Sequence, residues 1–472
     1  MSTKFISPDR QTPFLFPPRL EDWLPEDHLA HFIVDIVSQL DLSSLRRSYS
    51  EQTRGQKAYD PKMMVALIFY CLITGVLSSR KIENATWESI PVRFITGDMH
   101  PDHDTIATFR NRMKDALDGI FLEILLIAQG MGLLKLGTVS LDGTKMHANA
   151  SKHKALSHEY ACKLEKQLKE EIVHLLNLSQ KEDSMEGKKP ELDIPEEIRR
   201  REERLSKIAE AKAEIERREH ERYEREKAEY DQKMAERELK EQETEKKAKG
   251  KAPKEPEDVP SKKAQVNLTD PDSRIMPKSG DGFEQSYNAQ AAVDVESRLI
   301  VEEHVTQACN DKQELQPALE ELKELPEELG EVNKVLADAG YYSDANLKLS
   351  EELQTEPLIP AGREKHNERF EARMRGAGEA PSEEASVGER TAHKLKTEAG
   401  RQEYAQRKSV SEPVFGIIKS AMGYRAFLTR GIKNVRAEWT LVCIGYNLKR
   451  LSNLFRLSKG LLSTSLAIIP QN

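Results

Sequence analysis

The sequence predicts an α/β core that follows a helical N-terminal region and is interrupted by a long, charged helical insertion. Three observations predict it. Two short β-prone runs, Thr-Val-Ser-Leu-Asp at 138–142 and Lys-Val-Leu-Ala-Asp at 334–338, each end on an aspartate. Between them, from about 151 to 263, the chain is dominated by Glu, Lys and Arg. Ahead of both, up to about residue 135, apolar residues recur at three- and four-residue spacing, the period of a helix with one buried face. At 472 residues the chain is long enough for two or three domains.

The elements follow in order. Asp60-Pro61 reads as a helix start, with an acceptor at the N-cap and proline at the first helical position. The apolar run 63–77 comes next and reads as a buried helix, being shorter than the ~20 residues a membrane span needs. Shorter helical pieces are expected at 78–87 and 91–96, then a turn at 101–105 and a single helix over 106–128. Several short helices around one apolar helix resemble a helix-turn-helix module, a pattern shared with bundles that have no DNA role. The densest part of the insertion, 196–250, has the composition of a helical hairpin or coiled coil, supported by charge pairs four residues apart but poor in core positions. Gly250 and prolines 253, 256 and 260 close it as a linker. Strand texture returns at 287–293 and 299–305, separated by a turn at 296–298, so an antiparallel hairpin is expected. A helix over 313–329, a last strand at 357–360 and a polar loop over 361–400 come after. Glu412-Pro413 reads as an N-cap and first helical position, opening a helix to about 421, and another helix spans about 435–455.

Composition narrows the function. The net charge of -8 argues against a wholesale nucleic-acid binder, yet residues 401–460 hold 12 Lys+Arg against 3 Asp+Glu. Such a segment can track phosphates, or be only a solvated helix face. The four cysteines, Cys71, Cys162, Cys309 and Cys443, are far apart, which disfavours a disulfide framework or zinc site and suits a reducing cytosol. Residues 1–18 lack the charged start and apolar run of a secretory signal.

Two strands ending on Asp can project Asp142 and Asp338 from one sheet end, and a carboxylate at a helix start can complete a cluster. Three carboxylates suit a pair of Mg²⁺ ions, which take hard oxygen ligands and flank a scissile phosphate. Many other triples could be drawn through 80 Asp+Glu residues, so spacing alone decides little.

The local words decide more. The run Ser-Leu-Asp-Gly-Thr-Lys at 140–145 with His-Ala-Asn-Ala-Ser at 147–151, Leu-Ala-Asp-Ala-Gly-Tyr-Tyr at 336–342 and Arg-Lys-Ser-Val-Ser-Glu-Pro-Val-Phe-Gly at 407–416 resemble the DDE transposases of bacterial insertion sequences. The stretches 59–83 and 101–110 resemble the helical domain that precedes the core in one branch of these enzymes, the IS-four/IS-five-like superfamily. The resemblance implies an RNase-H-like core in which Asp142, Asp338 and Glu412 are the catalytic metal ligands. It implies two Mg²⁺ ions (Mn²⁺ able to substitute), DNA partners in the form of terminal inverted repeats and target DNA, a homodimer in the DNA complex, and a cytoplasmic, nucleoid-associated protein with no membrane partner. The family signature around the Glu is Tyr, two residues, Arg, three residues, Glu, six residues, Lys. Tyr404, Glu412 and Lys419 fit it, but Arg407 is one residue too far from Glu412 and Lys408 has the right spacing, so either could be the basic partner. Tyr404, Arg407, Lys408, Lys419 and, from the first motif, Lys145 are candidate DNA contacts.

The implied domains are 1–135 (helical, DNA-binding), 136–150 with 266–460 (catalytic core), 151–265 (insertion) and 461–472 (tail). His147 and His153 read as polar contacts, Asp294 and Asp311 as turn residues, and Trp439 as core. Two other readings stay open: a transposase-derived DNA binder with inactive chemistry, and a structural coiled-coil protein.

Overall fold

The computed structural model describes residues 19–47, 49, 58–182, 193–244, 253–277, 280, 282–362, 378–382 and 385–466. The linker over 245–252, much of the 361–400 loop and the tail from 467 lie outside the described residues. The chain divides into two compact units, one of residues 1–146, 288–427 and 433–472, the other of 147–287 and 428–432.

The first unit begins with seven helices: α1 (Leu29–Gln39), α2 (Ser43–Arg47), α3 (Pro61–Ile73), α4 (Ser79–Glu88), α5 (Ile90–Thr96), α6 (His103–Met113) and α7 (Leu117–Gly130). The predicted start of α3 is present: the Asp60 side chain accepts from the Lys62 N–H, with Pro61 at the first turn. Every residue from Met63 to Ile73 is buried, as an apolar run with no polar face requires. The single helix expected over 106–128 is two, α6 and α7, joined by a tighter turn at Lys114–Ala116.

A mixed sheet follows. Its strands are β1 (Thr138–His147), β4 (Arg274–Pro277), β5 (Phe283–Asp294), β6 (Ile300–Thr306), β7 (Lys334–Leu336) and β8 (Glu356–Leu358), while β2 (Ala155–Ser157) and β3 (Gln265–Asn267) form a separate ladder. The order across the sheet runs β4-β5-β1-β7-β8, with β6 also on β5. The predicted hairpin is real: β5 and β6 pair antiparallel. β7 is parallel to both β1 and β8.

The sheet is covered by α10 (Leu315–Glu324), α11 (Asp344–Glu352), α12 (Val387–Lys394), α13 (Glu398–Gly416) and α14 (Ile432–Leu466), which follow α8 (His158–Glu182) and α9 (Ile194–Thr244) of the second unit in chain order. The helix expected over 313–329 stops at Glu324, before Pro326, and resumes as a short turn. The polar loop expected over 361–400 contains α12, opened by a capping box on Ser386 and Glu389. α14 anchors on the hairpin: Trp439 Nε1 donates to the Gln290 carbonyl (2.9 Å), and the Asn447 amide bonds both the N–H and the C=O of Ile300 (2.8 Å each). Trp439 is fully buried, as expected of a core residue.

In the second unit α8 (His158–Glu182) and α9 (Ile194–Thr244) pack as a helical pair above the antiparallel ladder of β2 and β3. The expectation that this segment is too poor in apolar residues for a core does not hold at the base of the pair. Ala161, Leu164 and Leu168 of α8 meet Ile208, Ala211 and Ile215 of α9 over Leu156 and Val266 of the ladder. Above that base the surface is laced with charge pairs such as Arg201–Glu171 (2.8 Å) and Lys212–Glu165 (3.4 Å). Exposed pairs of this kind contribute ~0–1 kcal/mol each, so the apolar base supplies most of the cohesion. Among the described residues no helix is long and apolar enough to cross a membrane.

Candidate active site

β1 and β7 set the site. Their parallel register pairs Thr138 with Lys334, Val139 with Val335 and Ser140 with Leu336. Asp142 and Asp338 each lie two residues past the Ser140–Leu336 pair, and the charge of Asp338 acts on Asp142. The sequence expectation that both strands end on Asp does not hold at either one. β7 stops before Asp338, whose side chain caps the next turn by accepting from the Gly340 N–H (2.7 Å). β1 instead runs on to His147, so Asp142 lies inside the strand. At its end His147 Nδ1 stands 2.8 Å from Glu284 on the neighbouring β5.

Asp142 is largely buried. Burial lifts its carboxyl to about 6, with Asp338 and Asp311 pushing the same way and the Arg407 guanidinium and Gly143 N–H opposing them. Arg407 Nη1 stands 3.4 Å from Asp142 Oδ2, and its guanidinium lies 5.9 Å above the Tyr404 ring. Its Nε is buried with no hydrogen-bond partner. Of the two candidate basic residues, Arg407 faces Asp142 and Lys408 is exposed to solvent.

Glu412 departs most from expectation. It is not an N-cap. α13 runs through it, with Pro413 inside the helix, and continues into a π-helical turn, Ile417–Ala421. Buried Val414, Phe415 and Ile418 hold this stretch against the core, which overrides the local preference of a residue before proline. Glu412 is exposed and makes no hydrogen bond or ion pair among the described residues. Its neighbour Ser411 bonds Ser140 (Oγ to Oγ 2.7 Å), which keeps α13 on the strand that carries Asp142. Lys419, on the π-turn, reaches Thr144 Oγ1 on the same strand, and burial lowers its ammonium. Lys145 is exposed.

Asp311, read from sequence as a turn residue, belongs to this neighbourhood. Its Oδ1 accepts from Asn288 Nδ2 (2.8 Å) and Gln290 Nε2 (2.7 Å), and Tyr341 OH donates to Gln290 Oε1. The signal that could have found it is the period-2 pair of amides, Asn288 and Gln290, on one face of β5. Asp294 does have the expected turn role, accepting from the Ser297 N–H and Oγ. The basic block over 401–460 is partly engaged internally. Arg436 donates to the Val305 carbonyl, Arg450 to that of Ser297, and Arg456 pairs with Asp27.

Among the described residues no three His, Cys, Asp or Glu side chains are arranged to hold a metal ion. The donor chemistry nevertheless fits a divalent cation: Asp142 and Asp338 offer hard carboxylate oxygens, and the charge of Asp338 acts on Asp142.

A family model described as a transposase DDE domain matches residues 261–448, and one described as a transposase domain, DUF772, matches residues 18–112. The first takes in Asp338 and Glu412 and begins after Asp142. No curated protein matches the chain.

Proposed function

The chain belongs to the insertion-sequence DDE transposases, with an RNase-H-like core, and from that premise we propose that it cleaves DNA at the ends of an insertion sequence and joins the freed 3′-hydroxyls to target DNA. The observation that supports the reading is that Asp142 and Asp338 each follow, two residues on, the paired Ser140 and Leu336 of neighbouring parallel strands. In the proposed chemistry Asp142, Asp338 and Glu412 would hold Mg²⁺ or Mn²⁺. When bound, the pair of ions activates the attacking oxygen and stabilises the leaving one.

The chain's own groups do the rest. Burial of Asp142 raises the effective strength of charge at the site by excluding water. Arg407 keeps that carboxylate from standing unpaired before a cation arrives, and it is the nearest cation to a phosphate entering beside Asp142. Lys419, fixed by Thr144, presents charge on the same strand. Tyr404, Lys408 and Lys145 flank it as further DNA contacts, which position the strand for attack. Terminal-repeat recognition rests on the N-terminal helices, and two copies bridge the two ends.

Nicking of DNA that carries the element's own ends tests this. Cleavage should need Mg²⁺ or Mn²⁺ and fall by at least 10³-fold in Asp338→Asn, since the barrier is lowered mainly by the metal site. Equal cleavage by the variant would sink the assignment. DNA binding without cleavage by either protein would favour a transposase-derived DNA binder.

A further inference from the structure

Each of the two aspartates is followed closely by a glycine, and one carboxylate stands against both glycines. A Cβ added to Gly143 would fall 2.3 Å from Gln290 Nε2 and 2.8 Å from Asp311 Oδ1. A Cβ added to Gly340 would fall 2.8 Å from Asp338 Oδ1 and 3.6 Å from Asp311 Oδ2. Asp311 thus has one oxygen at the Asp142 segment and the other at the Asp338 segment. It is pinned there. Oδ1 takes both amides of β5, Asn288 and Gln290, and buried Tyr341 holds Gln290 in turn. Neither amide neutralises the carboxylate, and neither bonds Oδ2.

Fixing three carboxylates near one another is electrostatically costly, and nothing in the packing of a turn requires it. Asn at 311 would accept the same two amide hydrogens through its carbonyl. A retained charge is useful only if something cationic enters. Arg407 reaches Asp142 alone.

We propose that Asp311 is a positioning residue of the divalent-cation site: a third fixed negative charge, held by Asn288 and Gln290 between the Asp142 and Asp338 segments, that tightens cation binding by those two aspartates. The proposal rests on the DDE reading. Asp311 acts from beside Gly143 and Gly340, as carboxylates around metal ligands commonly do, where loss of such a group weakens metal affinity by roughly 10–100-fold.

The test is Mn²⁺ binding by the full chain without DNA, read by electron paramagnetic resonance of free Mn²⁺ and by calorimetry. The proteins compared are the parent, Asp311→Asn, Asp311→Ser and Asp338→Asn. Both Asp311 variants should bind Mn²⁺ at least tenfold more weakly than the parent. Asp311→Asn keeps the acceptor that the β5 amides need, so its thermal midpoint should stay near the parent's. Asp311→Ser brings no new amide and reports the loss of charge even if the asparagine variant folds poorly. Parent-like affinity in either folded variant would overturn the proposal. Asp338→Asn separates the two claims. If it loses Mn²⁺ and the Asp311 variants do not, only the role of Asp311 fails. If it binds like the parent, the DDE reading fails first.

Discussion

Gly143 shows how tightly the site constrains single residues. Its φ is ordinary, so a side chain there would meet no backbone strain. The obstacle is space, because a Cβ would overlap Gln290 Nε2 and Asp311 Oδ1. Either the amide–carboxylate contact opens or β1 shifts. Overpacking of this kind costs ~1–3 kcal/mol. Gly137, just before the same strand, has nothing within 4 Å of its added Cβ and no positive φ. Gly143→Ala should therefore lower the urea midpoint clearly, while Gly137→Ala stays within ~0.5 kcal/mol of the parent. Equal midpoints for the two variants would show that the contact around Asp311 is soft. Sequence reading reached Asp142 and Asp338 because each sits at a motif and in a β-prone run. It missed Asp311 because its partners, Asn288 and Gln290, are 23 and 21 residues away and lie on another strand. Spacing also left Arg407 and Lys408 undecided. Helical phase decides between them, since Arg407 and Ser411 are four apart on the face of α13 turned to β1.

Local rules succeeded at the level of elements where burial agreed with them and failed where it did not. The start of α3 and the β5–β6 hairpin were legible in caps, turns and apolar runs. The helix around Glu412 was not, because Pro413 is tolerated inside α13 by the burial of its neighbours. The β6–α10 layer contains a second feature that no local pattern announces. His304 lies between Glu302 (2.6 Å) and Glu314 (3.1 Å), all three largely buried. Burial alone would lower the imidazole, but the two carboxylates outweigh it and lift the group to about 10 from 6.5. A raised basic group contributes fully below its unfolded value, and that contribution is lost as pH climbs from about 6.5 to about 10. Nearby Glu321 is pushed up to about 7, first by burial and then by Glu302, so it too favours the folded state less as pH rises through that value. His304→Gln leaves two buried carboxylates without their cation and should cost ~3–5 kcal/mol near neutral pH. The gap between parent and variant in urea unfolding should shrink steadily from pH 6.5 to pH 10. A gap that stays constant over that range would mean that His304 is uncharged.

At the scale of the whole molecule, the insertion carries its own core, which makes its removal a defined operation. The ladder of β2 and β3 pairs Ser157 with Gln265, so the chain leaves and returns at adjacent points. Replacing residues 158–264 by Asn-Gly would turn that ladder into a two-residue hairpin of the favoured type. Leu156 and Val266, which pack under α8 and α9, would lose their cover and should be changed to Thr. The remaining members of that core leave with the excised helices, so no apolar surface of theirs is stranded. The first unit has its own sheet and buried helices, including Trp439, the β5–β6 pairing from Asn288 onward and the α3 run. The shortened protein should therefore keep a cooperative thermal transition, and its Mn²⁺ affinity should stay within about threefold of the parent's, because Asp142, Asp311 and Asp338 all belong to the first unit. Comparison of Mn²⁺ titrations and melting curves decides the matter. Loss of the cooperative transition would show that the charged helices are needed for the core to fold, and the insertion would then be a structural part of the catalytic domain instead of an appendage to it.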